Sequence, residues 1–232
     1  MKTAIMQPYF LPYIGYFQLI SAVDLFIVYD NIKYTKKGWI NRNRMLQNGK
    51  DVMFSLSLKN DSDFLDVVDR ELVEDFSPDK VLNQIRGAYR PAPYFAQTFP
   101  LIEQIMKNKE RNLFKFIYNS IIRVCEHLGI TTEIRISSVV DIDHELKNQA
   151  KVIALCEAVQ ASVYINAIGG MALYSKEEFE VRDLELKFIK SNSFEYRQFH
   201  HEFTPFLSII DVMMFNPLSS IKKYIESDYI LI

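Results

Sequence analysis

The sequence predicts an α/β fold with a Rossmann-like βαβ start, a β-hairpin insertion, and a helical middle and C-terminal layer. Three observations predict it. Two short apolar runs, Thr3–Met6 and Leu25–Tyr29, suit buried strands and are separated by one helix-length stretch. Strand-like and helix-like segments then alternate to the end of the chain. Asn48-Gly49, flanked by strand-like runs, is a strong hairpin signal, because both central turn positions need positive φ.

The opening unit comes first. Between its two strands lies Gln7-Pro8-Tyr9-Phe10-Leu11-Pro12, where the prolines fix φ and remove two backbone donors. A helix can start near Tyr13 or Ile14 and turn Ile14, Phe17, Leu19 and Ile20 inward, until Asp24 breaks the pattern. In such folds ligands sit outside the carboxyl ends of the strands, and Gln7 and Asp30–Asn31 fall on that edge.

A polar, aromatic loop follows over 31–40 and holds the only tryptophan, Trp39. The hairpin returns over Asp51–Leu58, and Phe64–Val73 reads as another strand, with helix as the alternative. Ser77-Pro78-Asp79 starts a helix with a cap residue, a first-position proline and an acid in the first turn. Pro91 and Pro93 end it and begin another through Met106. Arg111–Leu128 is the clearest amphipathic helix, closed by Gly129. Thr132–Ser137 is a strand, Glu145–Gln160 a helix, and Ser162–Ala167 a strand leading into Gly169-Gly170, where a tight turn is favoured over a phosphate-cradling loop. A capping box at Ser175–Glu178 opens a short helix, Leu184–Ile189 forms the final strand, and a terminal helix runs from Leu218 to about Glu226. We expect a single α/β domain over 1–232, with a helical subdomain over about 77–130.

Composition excludes several classes. An apolar fraction of 49% over 232 residues suffices for a core and argues against disorder. With 27 basic and 29 acidic residues there is no basic excess of the kind nucleic-acid binders carry. Cys125 and Cys156 lack any metal-ligand spacing and read as buried, reduced thiols. Leu11–Tyr29 is interrupted by Pro12, Gln18, Ser21 and Asp24, so no membrane span is expected, and the N terminus lacks signal-peptide architecture. The expected location is cytoplasmic.

The residues able to carry chemistry are few. Gln7 offers both a donor and an acceptor on a proline-stiffened loop, and Tyr9, Tyr13 and Tyr16 add polar-tipped aromatic surface; a plain strand-to-helix turn is the alternative. Lys33, Lys36, Lys37, Arg42 and Arg44 form the densest basic group, and ordinary solvation accounts for the lysines. Arg42 and Arg44 alternate with Asn41 and Asn43, so both guanidinium forks share one strand face and suit the phosphates of a nucleotide diphosphate or a phosphopantetheine arm. Asp30 closes a buried strand and either pairs with one of these arginines or accepts a sugar hydroxyl. His200 and His201, the only adjacent histidines, offer an imidazole base at neutral pH or are simple surface residues. Asp211, set among apolar residues, either orients a histidine or caps a backbone group. Ser208 reads as a cap, while His127 and His144 look incidental.

The blocks QPYFLPYIGYFQLI, AVDLFIVYDNIKY with its Asp24 and Asp30, KKGWINRNR, YRPAPYF (Tyr89–Phe95) and SIIDVMMFN (Ser208–Asn216) together resemble the WbqC-like family. That resemblance implies a role in surface-polysaccharide (O-antigen) biosynthesis, with acyl or aminoacyl transfer to an activated amino sugar. The implied partners are a nucleotide-linked amino sugar and a thioester co-substrate, on coenzyme A or on an acyl carrier protein's phosphopantetheine arm; no tightly bound cofactor, metal, nucleic acid or membrane partner is expected. In this mechanism His200 or His201 takes the amine's proton and Asp211 supports it. Arg42 and Arg44 hold a phosphate, and Gln7, Asp30 and the tyrosines grip the sugar. The alternatives are a non-catalytic binding module and a degenerate nucleotidyltransferase relative. Tyr13-Ile14-Gly15-Tyr16 lacks both histidines of the HxGH loop, which argues against adenylyl transfer.

Overall fold

The computed structural model describes residues 1–200 and 202–232, so His201 lies outside the described residues. Its core is a mainly parallel sheet. In chain order the sheet strands are β1 (Lys2–Met6), β2 (Leu25–Val28), β5 (Glu133–Ile136), β6 (Val163–Ala167), β7 (Glu185–Ser191) and β8 (Tyr229–Leu231). Across the sheet the order is β5-β2-β1-β6-β7-β8, parallel throughout except that β8 runs antiparallel to β7. The parallel strands, renumbered in chain order, read 3-2-1-4-5. This is the doubly wound Rossmann order, and the order reverses between β1 and β6.

Burial on both faces explains why the central strands are continuous apolar runs. All four residues of β2 are buried: Phe26 and Val28 join one cluster, and Leu25 and Ile27 the other. The larger cluster takes in α1 (Ile14–Ser21), α2 (Pro78–Tyr89), α3 (Phe95–Met106), α4 (Leu113–Leu128), α7 (Ile209–Phe215) and α8 (Leu218–Ser227). The smaller one lies under α5 (Asn148–Ala158) and α6 (Lys176–Glu180). Leu82, Ile85 and Phe116 pack in the same cluster as Phe17 and Phe26, so the helical middle shares the sheet's core.

Local signals shape the inserted elements. β3 (Arg42–Gln47) and β4 (Lys50–Ser55) form a separate antiparallel hairpin, with Asn48 at φ +52° and Gly49 at φ +73°, both in the left-handed region the turn requires. Gly129 at φ +73° ends α4, and its N–H bonds back to the Glu126 carbonyl.

Three expectations fail. Phe64–Val73 is not a strand: only a 3₁₀ turn at Val67–Asp69 and isolated bridges form, because the segment pairs residue by residue with the 31–34 loop, Leu58 and Asn112. Leu184–Ile189 is not the last strand, since β8 follows it; three residues are too few to show a period. The Ser175 capping box does not form, because the Ser175 hydroxyl donates to Glu177 instead of accepting from the helix. Gly169 and Gly170 lie in a 3₁₀ turn, Ile168–Leu173, and neither has the positive φ of a phosphate-cradling loop. Among the described residues, no helix is long and apolar enough to cross a membrane.

Candidate functional site

Three of the sequence blocks scattered along the chain, those of Phe10–Pro12, Ile40–Arg44 and Ser208–Ile209, meet at one hydrogen-bonded knot. Leu11 is fully buried and adopts φ +44° immediately before Pro12. Such a conformation is rare for a branched residue and costs about 1–3 kcal/mol unless its surroundings impose it. Here they do. The Leu11 carbonyl accepts from the Ser208 hydroxyl at 2.6 Å and from the Asn43 amide at 3.0 Å. The same Asn43 amide reaches the Phe10 carbonyl at 3.2 Å. Backbone bonds Phe10 N to Ile40 O, Ile209 N to Pro12 O and Ser208 N to Arg44 O complete the knot.

This knot holds Gln7 at the carboxyl edge beside the β1/β6 reversal. The Tyr16 hydroxyl donates to the Gln7 carbonyl at 2.9 Å, and Tyr9 approaches Gln7 Oε1 at 3.4 Å. Burial pushes the Tyr16 phenol well above its ordinary pKa and raises that of Tyr9. Tyr16 therefore props the loop from beneath, whereas Gln7 and Tyr9 are only partly covered. Tyr13 lies further along, with its ring 5.6 Å from that of Phe206.

The other half of the edge is a polar cluster at the ends of β2 and β5. Asp30 is 2% exposed; its carboxylate accepts from the Ser137 hydroxyl at 2.7 Å, the Ser138 N–H at 3.0 Å and the Ser138 hydroxyl at 2.6 Å. It meets neither Arg42 nor Arg44, so of the two alternatives read from the sequence the ion pair does not form. Asn31 donates to His144 Nδ1 at 2.9 Å, and His144 Nε2 donates to the Val140 carbonyl at 3.0 Å. Both ring nitrogens are engaged, so His144 is not incidental.

Beside it stands Lys151, 5% exposed, which donates to the His144 carbonyl at 2.9 Å and lies 5.2 Å over the Tyr29 ring. Burial pushes the Lys151 pKa down, opposed by the carboxylates of Asp66, Asp30, Glu145 and Asp143, none of them within ion-pair distance. The Tyr29 phenol is pushed up to about 12 by burial, helped by Tyr174, Asp66 and Asp30.

Asp211, the expected partner of a histidine, has other company. Fully buried, it accepts from Tyr89 at 2.8 Å, Tyr196 at 2.7 Å and Gln198 at 2.7 Å. Burial raises its pKa, and the three hydrogen bonds pull against that rise. Among the described residues no histidine contacts it, and His200 is exposed on the loop after β7.

The basic strand divides in two. Asn41 is engaged by the Tyr34 hydroxyl and the Leu56 carbonyl, and Asn43 by the knot, so neither amide is free to bind a ligand. Arg44 pairs with Asp51 at 3.0 Å, lies 5.3 Å from the Trp39 ring centre and reaches the Phe206 carbonyl. Among the described residues Arg42 uses only its Nε–H, on the Gly38 carbonyl at 2.9 Å. The structure thus separates the arginine pair from Asp30 and gives Arg44 the acid that the sequence did not place beside it.

Among the described residues no group of His, Cys, Asp and Glu is arranged to hold a metal ion. Cys125 and Cys156 are buried, and burial pushes both thiols up to about 12. Sequence reasoning missed Ser137, Ser138, Lys151 and Tyr29. The one signal was a lysine inside the apolar face of α5, at the start of Lys151-Val152-Ile153.

The chain is 24% identical over 230 residues, covering 97% of each protein, to the "Uncharacterized protein Rv1507c" of Mycobacterium tuberculosis. No solved structure matches it. The profile of the WbqC-like protein family matches residues 7–223, which takes in every block that meets at the Leu11 knot. The chain belongs to the WbqC-like protein family.

Proposed function

We propose that the protein is a transferase that moves an acyl or aminoacyl group from a thioester to the amine of a nucleotide-linked sugar, in the assembly of surface polysaccharide such as O-antigen. The donor is coenzyme A or a phosphopantetheine carrier. The observation that carries this reading is the convergence of Gln7, Asn31, His144 and Lys151 on the carboxyl edge of a doubly wound sheet, where such folds bind nucleotides. Gln7 and Tyr9 suit the hydroxyls of a sugar, which need both donors and acceptors.

The chemistry is direct. The sugar ammonium loses a proton, its nitrogen attacks the thioester carbonyl, and the thiol leaves. No free nucleophile is required, in keeping with two cysteines whose thiols are buried and held protonated. Two groups compete as proton acceptor. One is the His200–His201 pair; the other is Lys151, which burial shifts toward its neutral form.

The test is to incubate the protein with amino-sugar nucleotides and acyl thioesters and to follow the sugar's mass. An acyl increment supports the transferase, and none across a broad panel rejects it. Full turnover in the double His200→Ala, His201→Ala variant would remove the histidines and leave Lys151. A second reading, a non-catalytic binding module, is favoured by one observation: both buried carboxylates, Asp30 and Asp211, are already occupied by protein donors. Under it, sugar nucleotides raise the melting temperature but no acyl group moves.

A further inference from the structure

The charge least accounted for by the rest of the fold is Arg70. It is 4% exposed, yet among the described residues no carboxylate lies within ion-pair distance. One guanidinium N–H donates to the Ser62 carbonyl at 2.8 Å, and the buried Nε–H has no acceptor. The guanidinium lies 4.4 Å over the Tyr34 ring, whose hydroxyl is committed to Asn41. Desolvating a guanidinium without a counter-ion is costly, and a cation–π contact recovers only part of that cost.

Two further cations stand on the Tyr34 loop. Arg42 donates to the Gly38 carbonyl of that loop, and Lys36 pairs with Asp63, next to the Ser62 carbonyl that Arg70 holds. The charges of all three oppose the burial that raises the Tyr34 pKa. Arg42 has its terminal nitrogens to offer. Lys36 is tied only to Asp63, in an exposed pair that is easily exchanged. Asp66, another acid of this segment, is held by Lys33 at 2.9 Å. The Tyr34 loop leaves the carboxyl end of β2 directly, and the segment carrying Arg70 runs beside it through Val68 N to Asp30 O, Val67 N to Ile32 O and Tyr34 N to Leu65 O. The cations therefore flank the edge where Asp30 and Asn31 sit.

We propose that Arg70, Arg42 and Lys36, gathered around Tyr34, form a seat for a diphosphate. Two guanidinium forks and an ammonium supply the two-point contacts that phosphate oxygens favour. Both a nucleotide-linked sugar and coenzyme A carry that group, so the chemistry is shared by the two substrates of the proposed function, on which the biological meaning of the seat rests.

Inorganic pyrophosphate is the probe. Its affinity for the wild-type protein, read by calorimetry and by the rise in melting temperature, should weaken as salt is raised. Arg42→Gln should weaken it by about tenfold or more, and Arg70→Lys, which replaces a fork by a point charge, by a similar factor. Lys223→Gln, an exposed cation elsewhere, should leave it unchanged. Arg42 is only partly buried, so its variant keeps the test sharp if Arg70→Lys folds poorly. Displacement by uridine diphosphate assigns the seat to the sugar nucleotide, and displacement by coenzyme A assigns it to the thioester donor. Wild-type protein that ignores pyrophosphate, or variants that bind it as tightly as wild type, would overturn the seat. Intact pyrophosphate binding without acyl transfer would instead reject the transferase and leave the seat standing.

Discussion

Asp30 and Asp211 are equally hidden and each gathers protein donors, yet they do different work. The partners of Asp211 come from α2 and from the loop after β7, so its carboxylate ties together segments far apart in sequence. The Tyr89 hydroxyl that donates to it also accepts the Leu46 N–H of the hairpin at 2.8 Å. Asp30 instead is bound by two neighbouring serines at the end of the adjacent strand. Its own neighbours are Asn31, His144 and Lys151, polar groups lining an edge where folds of this kind take ligands. Burial alone does not tell these two acids apart; the residues one contact further out do.

The largest expected effect breaks the Asp211 side. Asp211→Ala takes the shared acceptor from Tyr89, Tyr196 and Gln198 and should cost on the order of 3 kcal/mol in urea unfolding, with Asp211→Asn losing less. On the other side, Asp30→Asn sets an amide against the Ser138 N–H. It should cost about 1–2 kcal/mol and should also erase the melting-temperature rise given by a sugar nucleotide. If Asp211→Ala erased ligand binding with little loss of stability, the comparison would be reversed.

Lys151→Met sharpens the contrast. Removing a desolvated ammonium should change stability by less than about 1 kcal/mol, while turnover falls by about a hundredfold if the amine moves a proton. The smallest effect is in pH. The Asp211 carboxyl is raised in the folded protein, so between the unfolded and folded pKa values the native state holds the extra proton and stability falls as pH rises. Acid-range unfolding of Asp211→Asn should lack that downward slope.

Much of the scaffold could be read from the chain because local chemistry and tertiary packing agree there. The β1–α1–β2 opening, the Asn48-Gly49 hairpin and the α4 stop at Gly129 each depend on a few adjacent residues. The site was less legible. Asp30 looked like a partner for arginines because both are charged and near in sequence, whereas its serines lie 107 and 108 residues away. Arg44 seemed free of acids until the hairpin register brought Asp51 to its face. Lys151 carries no motif, and only the burial of α5 against the sheet edge reveals it.

The Leu11 knot has a consequence for the newborn chain. The bend that positions Gln7 needs Ser208 and Ile209, and Ser208 lies 197 residues beyond Leu11. A chain still emerging from the ribosome can lay down most of its parallel strands, but it cannot hold that bend until the final helices arrive. A product that ends before Ser208 would lack these bonds and could not hold Gln7 in place.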